Sequence, residues 1–208
     1  MGTNQFDENS YEQTLIALFQ EMGYQYVLGY EVERDYREPF LAEDLRKGLR
    51  RLNPMVSNTV LEDALRLITN VNEGTLEQRN EQLMDYLQSG VEVKYAEDGR
   101  SRTELVKLID FEEPLKNDFK VCNQWTVIER DKIRCDMVVF VNGLPLVVIE
   151  LKSPSRDETD EEDAYRQVKQ YQQKCPSLFV FNAFSVISDM LTSKAGTITA
   201  KANRFMEC

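Results

Sequence analysis

Three side chains at the ends of two apolar segments have the types and the spacing for hydrolytic chemistry. Asp136 lies near the start of one apolar segment, and Glu150 and Lys152 close the next one after an Asn142-Gly143 turn. Two converging carboxylates can hold a hard divalent cation such as Mg2+, which binds oxygen ligands and keeps water and substrate phosphate in its shell. A neighbouring lysine can orient or deprotonate a water molecule and neutralise charge at phosphorus. These residues predict metal-assisted attack on a phosphate ester, with Asp136 and Glu150 as metal ligands.

The acid-x-Lys spacing is weak evidence by itself. The chain contains three such triplets, Glu92-Val93-Lys94, Asp118-Phe119-Lys120 and Glu150-Leu151-Lys152. Only the third ends a long apolar strand, which should be buried on both faces. Charged groups are costly there unless they are paired. An ion-paired strand end near the edge of a sheet therefore stands beside the catalytic interpretation.

The length of the turn decides whether Asp136 can reach Glu150. Glu150 and Lys152 are two residues apart on a strand and share a face. With a two-residue loop, Asn142-Gly143, Asp136 would pair with the residue before Glu150 and point away. With a three-residue loop, 141–143, in which glycine is left-handed at a bulge, Asp136 would pair with Val148 and join the face of Glu150. We therefore predict the three-residue loop.

Composition excludes several kinds of chemistry. The chain has 208 residues and no histidine, so Ser-His-Asp triads, Cys-His pairs and histidine zinc sites are excluded. It contains no Walker GxxxxGK[ST] loop for ATP. The four cysteines, Cys122, Cys135, Cys175 and Cys208, have neither zinc-site nor disulfide-framework spacing and are expected to be free thiols. No apolar run reaches the ~18 residues of a membrane span, and no signal peptide is evident, so we expect a soluble, cytoplasmic protein.

The acidity is unevenly distributed. The formal net charge is -11, which argues against a nucleic-acid partner. However, residues 1–100 carry 19 acidic and 10 basic side chains, whereas residues 101–208 carry 17 and 15. A local cationic surface in the second half is therefore possible, with the candidates Arg130, Lys132, Arg134, Arg166, Lys169 and Lys174.

Periodicity divides the chain into a helical first part and a part rich in strands. Helical patterns cover 10–22, with Ser10 and Gln13 as a capping box and Gly23 as C-cap, and then 40–52, 58–69 and 75–88. Strand patterns cover 91–95, 103–109, 119–129, 133–141 and 144–152, and a helix with a Thr159/Glu162 capping box follows over 160–174. Short apolar runs at 178–181 and 185–187 complete an α/β (α+β) pattern: a central mixed sheet flanked by helices. We expect an N-terminal helical region over 1–90, whose first helix packs on a core over 91–208.

Several of these segments carry a specific resemblance. Asp136 followed by Glu150-Leu151-Lys152 resembles the PD-(D/E)xK nuclease motif, with Cys135 in place of its proline. The run DMVVFVNGLPLVVIELKSP (136–154) and the helix segment QVKQY (167–171) are similar to the N-terminal nuclease domain of the restriction (R) subunit of type I restriction-modification enzymes. The resemblance extends over LIDFEEPLKNDFKVCNQWTV, CPSLFVFNAFSVISDM and GTITAKANRFM, and so covers about 90–206.

The resemblance implies further site residues. The family pattern adds a QxxxY pair, matched here by Gln167 and Tyr171, which is thought to assist DNA binding or cleavage. Its first helix contributes an acidic residue, for which Glu12 is the candidate. From the residues alone, Gln167 and Tyr171 could also form a surface pair or hold a half-buried tyrosine, and Glu12 could be an ordinary solvated glutamate. The proline of the motif binds no metal, so activity is expected to survive Cys135.

The implied function is a Mg2+-dependent endonuclease domain that cuts double-stranded DNA within an ATP-dependent restriction complex. The implied partners are DNA, the modification (M) and specificity (S) subunits, and the C-terminal helicase-like motor domains of the same subunit. The motor is absent from these 208 residues, so we expect a piece of a longer chain that does not itself bind ATP. Two alternatives stay open: a non-catalytic docking module of that complex, and a stand-alone PD-(D/E)xK nuclease of the repair or resolvase type.

Overall fold

The computed structural model describes residues 8–152, 159–189 and 192–207. The helices are α1 (Glu8–Glu21), α2 (Ala42–Leu52), α3 (Asn58–Thr69), α4 (Leu76–Ser89), α5 (Thr159–Lys174) and α6 (Pro176–Val180). The strands are β1 (Gln25–Leu28), β2 (Val91–Glu97), β3 (Arg100–Val106), β4 (Phe119–Ile128), β5 (Lys132–Val141), β6 (Leu144–Leu151), β7 (Phe184–Ser188), β8 (Ser193–Gly196) and β9 (Met206–Glu207). Among the described residues, no helix is both long and apolar enough to cross a membrane.

The central sheet has seven strands in the order β1-β4-β5-β6-β7-β8-β9. Two neighbouring pairs are parallel, β1 with β4 and β6 with β7, and the other neighbours are antiparallel. Strands β2 and β3 form a separate hairpin. Helices flank the sheet, which confirms the predicted mixed α/β fold.

Three apolar clusters hold the layers together. One lies between α1 and the sheet and contains Ile16, Met137 and Ile149. A second lies on the opposite side, where α5 and α6 cover the sheet through Val168 and Phe179. The third joins α2, α3, α4 and the β2–β3 hairpin to the start of β6. The acidic first part of the chain is thus docked on the end of the sheet that carries the β5–β6 turn.

Some helix ends follow local sequence signals. At α4 the Thr75 and Gln78 capping box forms in both directions, and Gly23 ends α1 with φ +90°. Ser10, in contrast, is not a cap, because α1 begins two residues before it. Strand β1 lies between two predicted helices and was not predicted. The Thr159/Glu162 capping box involves side chains outside those that the structure describes.

The β5–β6 turn differs from the prediction. It is a two-residue turn in which Asn142 has φ +49° and Gly143 φ +83°, so the predicted three-residue loop is wrong. The register nevertheless shifts further along the hairpin, because Phe140 pairs with Pro145 whereas Val139 pairs with Val147. Leu146 is the extra residue of this bulge, beside a proline that has no N–H for the ladder. Met137 therefore pairs with Ile149, and the next position, Asp136, lies opposite Glu150.

The turn itself is buried under α2. The Asn142 side chain donates to the carbonyl of Leu108 at 2.8 Å and to Asn117 Oδ1 at 2.8 Å. Its Oδ1 accepts from Arg51 at 2.8 Å and from the N–H of Asp118 at 2.8 Å. The carbonyl of Gly143 accepts from the N–H of Leu41 at 2.9 Å. One asparagine therefore connects α2, the segment before β4 and the hairpin.

This packing generates a stability prediction. A β-carbon on Gly143 would lie 2.5 Å from the Leu45 nitrogen and 2.6 Å from the Leu41 carbonyl oxygen, whereas a β-carbon on Gly99, in the β2–β3 turn, would meet nothing within 4 Å. Both glycines have positive φ, so each alanine substitution costs about 1 kcal/mol in backbone strain. We expect Gly99→Ala to lower the free energy of unfolding by this backbone strain alone. Gly143→Ala should lower it by about 3 kcal/mol or more, because α2 must move to make room for the added methyl group. Urea denaturation measures both, and equal losses would contradict the packing.

Candidate active site

The regular alternation of the sheet breaks at the site. Cys122 and Trp125 on β4 pack in the same cluster, as do Cys135 and Val138 on β5. Residues three apart on a regular strand point to opposite faces, so both strands slip by one position between these residues. The slip falls at Gln124, which has φ +54° and is skipped in the pairing of β4 with β5. The position opposite Gln124 in that register is Asp136.

Asp136 occupies the break between β5 and β6. Its Oδ2 accepts a hydrogen bond from the N–H of Leu151 at 2.9 Å, a donor that would otherwise serve the strand ladder. Its carboxyl group lies close enough to that of Glu150 for the charge of Asp136 to raise the pKa of Glu150. The structure thus places these two predicted ligands opposite each other on neighbouring strands, although the turn that positions them is not the one expected.

Burial favours protonation of this carboxyl pair. Glu150 is 1% exposed, and desolvation followed by the charge of Asp136 raises the pKa of Glu150 to about 8, against the opposing effect of Lys152. Desolvation also raises the pKa of Asp136, while the Leu151 N–H and Lys152 oppose this rise. Two buried carboxylates in contact cannot both ionise cheaply. The pair is therefore prepared for either a proton or a cation.

A chain of hydrogen bonds runs from Glu150 to helix α5. Lys152 donates through Nζ to Glu150 Oε1 and to Gln167 Oε1, each at 3.0 Å. Gln167 Nε2 donates to the Tyr171 hydroxyl at 2.6 Å, and that hydroxyl donates to the carbonyl of Arg134 at 2.9 Å. Gln167 and Tyr171 are one helical turn apart, so α5 presents both toward the end of β6. Four of the predicted site residues therefore form one connected array.

Glu12 reaches the same region from α1. It is 8% exposed, and its two carboxylate oxygens accept from Asn123 Nδ2 at 2.7 Å and from Gln124 Nε2 at 2.9 Å. Its charge contributes to the raised pKa of Asp136. Sequence reasoning missed Asn123 and Gln124. The available signal was two consecutive amides that interrupt an otherwise apolar strand.

The donor set fits a divalent cation with few protein ligands. Glu150 Oε2 is buried and has no hydrogen-bond partner, which is costly for a carboxylate oxygen unless a cation or water binds it. Within the described parts of the chain, no group of three or more acidic or cysteine side chains is close enough to enclose a metal. Mg2+ suits such a site, because it is commonly bound by one or two carboxylates and keeps several waters.

The other candidates fall into two groups. Of the six basic residues, Lys132 and Arg134 are exposed on β5. The other four contact neighbouring groups: Lys174 pairs with Asp131 at 3.0 Å, Arg166 pairs with Asp163 at 3.0 Å, Lys169 donates to the Ile198 carbonyl at 2.6 Å, and Arg130 donates to the Gln173 carbonyl at 3.2 Å. Cys122, Cys135 and Cys175 are buried free thiols, and Cys208 lies outside the described residues. Cys135, the residue before Asp136, is completely buried, and this desolvation raises its pKa. It serves the core beside the site.

A mixed sheet between helices, broken where two carboxyl groups meet a lysine, is consistent with a nuclease-like α/β fold. Comparison with known proteins specifies the family. A family model described as "Type I restriction enzyme R protein N terminus" matches residues 5–204. The chain belongs to this family.

Curated relatives agree with that membership. The chain is 33% identical to a type I restriction enzyme HindI endonuclease subunit of Haemophilus influenzae, over 96% of this chain and 20% of the relative. It is 32% identical to a putative type I restriction enzyme MjaIXP endonuclease subunit of Methanocaldococcus jannaschii, over 93% of this chain and 20% of the relative. The chain thus spans about a fifth of the length of these relatives and corresponds to the N-terminal region of such subunits.

The buried pair predicts a pH dependence of stability. Between pH 4.5, the ordinary value of a glutamate, and about 8, folded Glu150 holds a proton that the unfolded chain has lost. The stability that this proton provides is present below pH 4.5 and is lost as pH rises through about 8. The side chain in Glu150→Gln has no charge at any pH. Between pH 5 and pH 9, the free energy of unfolding of this variant should therefore rise relative to that of wild type by on the order of 1 to 4 kcal/mol. Urea denaturation in the presence of a chelator measures the free energy of unfolding of both proteins. Parallel curves of this free energy against pH would contradict the prediction.

Proposed function

We propose that this chain is a Mg2+-dependent endonuclease domain of the PD-(D/E)xK type, which cuts double-stranded DNA within an ATP-dependent type I restriction complex. The observation that supports it most strongly is the buried Asp136–Glu150 pair with Lys152 donating to it. Burial of such a pair costs folding free energy, and a function at this position would explain why the fold carries that cost. Membership in the restriction-subunit family and the names of the relatives supply the substrate class.

Each residue of the array has a role in this proposal. Asp136 and Glu150 would hold Mg2+, which supplies Lewis-acid stabilisation of charge on the phosphate and acidifies a water molecule. An ammonium group has three donors, and Glu150 and Gln167 use two of those on Lys152. The third can face the phosphate, where it orients the attacking water and stabilises the charge that develops on phosphorus. Tyr171 fixes Gln167, and Gln167 in turn fixes Lys152.

The remaining functions are assigned to other parts of the complex. ATP would be bound by helicase-like motor domains of the same subunit, and the site on DNA would be selected with the modification and specificity subunits. In this proposal the exposed cations on β5 contact the DNA backbone. Such contacts position the duplex but do not read its sequence.

Removal of the array should abolish cleavage. We expect Asp136→Ala and Lys152→Ala each to lower the rate of DNA cleavage by the assembled complex, with ATP and Mg2+, by roughly 100-fold or more. Lys94→Ala is the matched control, because Lys94 belongs to another acid-x-Lys triplet but is exposed on the β2–β3 hairpin. Cleavage of plasmid DNA that carries a recognition site measures all three.

The same variants separate the alternatives. If Asp136→Ala and Lys152→Ala cleave like wild type while the chain is still needed for assembly, the chain is a docking module. If the chain alone cuts branched or damaged DNA without partner subunits, it is a stand-alone nuclease. Either result would contradict the proposal in its present form.

Tyr171 allows a test of how the Gln167–Tyr171 pair acts. The Tyr171 ring is 8% exposed, and its hydroxyl joins Gln167 to the Arg134 carbonyl. Tyr171→Phe keeps the ring and removes this bond, so Lys152 loses part of its support. We expect the rate constant for cleavage to fall about tenfold while the affinity for DNA stays unchanged. Fluorescence anisotropy and single-turnover cleavage measure the two quantities, and a weaker affinity with an unchanged rate would instead indicate a DNA contact.

A further inference from the structure

Gln124 has a backbone conformation that its residue type disfavours. In the described part of the chain, three residues other than glycine have positive φ: Asp98 (+49°), Gln124 (+54°) and Asn142 (+49°). Asp98 and Asn142 occupy Asp-Gly and Asn-Gly turns, where this conformation is expected. Gln124 lies inside strand β4. A non-glycine residue keeps such strain only when its surroundings enforce it, and such residues cluster at functional sites.

The left-handed backbone lets two neighbouring side chains bind one carboxylate. In a regular strand Asn123 and Gln124 would point to opposite faces of the sheet. Here both amides donate to Glu12, one to each oxygen, at 2.7 and 2.9 Å. Tyr26 donates to Asn123 Oδ1 at 3.0 Å, which fixes the orientation of that amide. The conformation of Gln124 therefore produces a bidentate clamp.

The clamp is electrically neutral, although it holds a charge beside other acids. Amide groups satisfy the Glu12 oxygens without neutralising them, and Glu12 is buried and interacts electrostatically with Asp136. A clamp that served stability alone would be expected to use lysine or arginine, because an uncompensated buried charge is costly. A neutral clamp retains the negative charge for a cation that binds next to it. The buried Glu150 Oε2, which has no partner, points to the same requirement.

We propose that Asn123 and Gln124 are positioning residues that hold Glu12 toward the water shell of the divalent cation at Asp136 and Glu150. This inference rests on the proposed function, since it assumes a cation at that pair. Glu12 acts through water rather than as a direct ligand, because Mg2+ bound by two carboxylates keeps several waters that need acceptors. The fold tolerates the strained backbone of Gln124 because this conformation places both amides on one carboxylate.

Gln124→Gly separates positioning from stability. Glycine adopts positive φ without strain, so the relief offsets the lost hydrogen bond, and we expect the thermal midpoint to stay within a few degrees of wild type. We expect the affinity for Mn2+, used in place of Mg2+ and measured by isothermal titration calorimetry, to fall roughly 10- to 100-fold. Asp98→Gly is the matched control, because it removes the same strain in an exposed turn and should leave the affinity unchanged.

A double-mutant cycle shows whether Gln124 acts through Glu12. Glu12→Gln keeps the shape of the side chain and removes its charge, and should weaken Mn2+ binding to a similar extent. If Gln124 acts only through Glu12, the double variant Glu12→Gln with Gln124→Gly binds no more weakly than Glu12→Gln alone. Multiplicative losses would overturn the inference. So would wild-type affinity in Gln124→Gly, or an affinity that falls only together with a large drop in the thermal midpoint.

Asp136→Ala distinguishes failure of the inference from failure of the proposed function. If Asp136→Ala loses Mn2+ binding while Gln124→Gly binds like wild type, the inference alone is overturned and the metal site stands. If wild type binds no Mn2+, or Asp136→Ala binds it equally well, both the metal site and the inference fail. The expected pattern is loss in Asp136→Ala, partial loss in Gln124→Gly and no change in Asp98→Gly.

Discussion

The central sheet changes phase along β4 and β5, and the candidate site depends on that change. Before Gln124 on β4 and before Asp136 on β5, one alternate set of side chains packs under α5. After these two residues along each strand, the other set packs there. The transition leaves the N–H of Leu151 to a side chain, Asp136, instead of to a strand carbonyl. An unbroken sheet would satisfy its backbone internally and give a carboxyl group no place between strands. A backbone irregularity and the polar groups that occupy it therefore form one structure.

In a chain without histidine, the candidate site consists of carboxyl groups and a lysine. Here a carboxyl group reaches a pKa of about 8 through burial against a second acid. Lys152 compensates only in part, because it divides its donors between Glu150 and Gln167. The two carboxyl groups repel each other when both are ionised, and either a proton or a cation would relieve this repulsion. If a cation binds there, as proposed, its occupancy and the folding stability would be linked, because metal binding couples to folding.

Much of the fold could be predicted from periodicity and capping, because α3, α4 and the strands before and after the β5–β6 turn follow local rules. Strand β1 was missed, since four residues with one partner strand carry too little pattern. The hairpin register was mispredicted, because the bulge at Leu146 arises where Pro145 meets packing from Asn182, whose amide donates to the Leu146 carbonyl at 3.3 Å. The left-handed Gln124 was equally beyond reach, since no local propensity favours it. The residues proposed for the site lie together in the structure, but their roles stay predictions.

The two hairpins look alike in sequence and differ in what they allow. Each has a short acidic or amide residue followed by glycine at its tip. The β2–β3 tip is exposed, and a β-carbon on Gly99 would meet nothing within 4 Å, so this tip can accept added residues, as exposed turns generally do. The β5–β6 tip lies under α2, and its asparagine is 1% exposed. Residues added at this buried turn would disturb the placement of Asp136 opposite Glu150. A reporter or label inserted at Asp98-Gly99 would leave that placement intact.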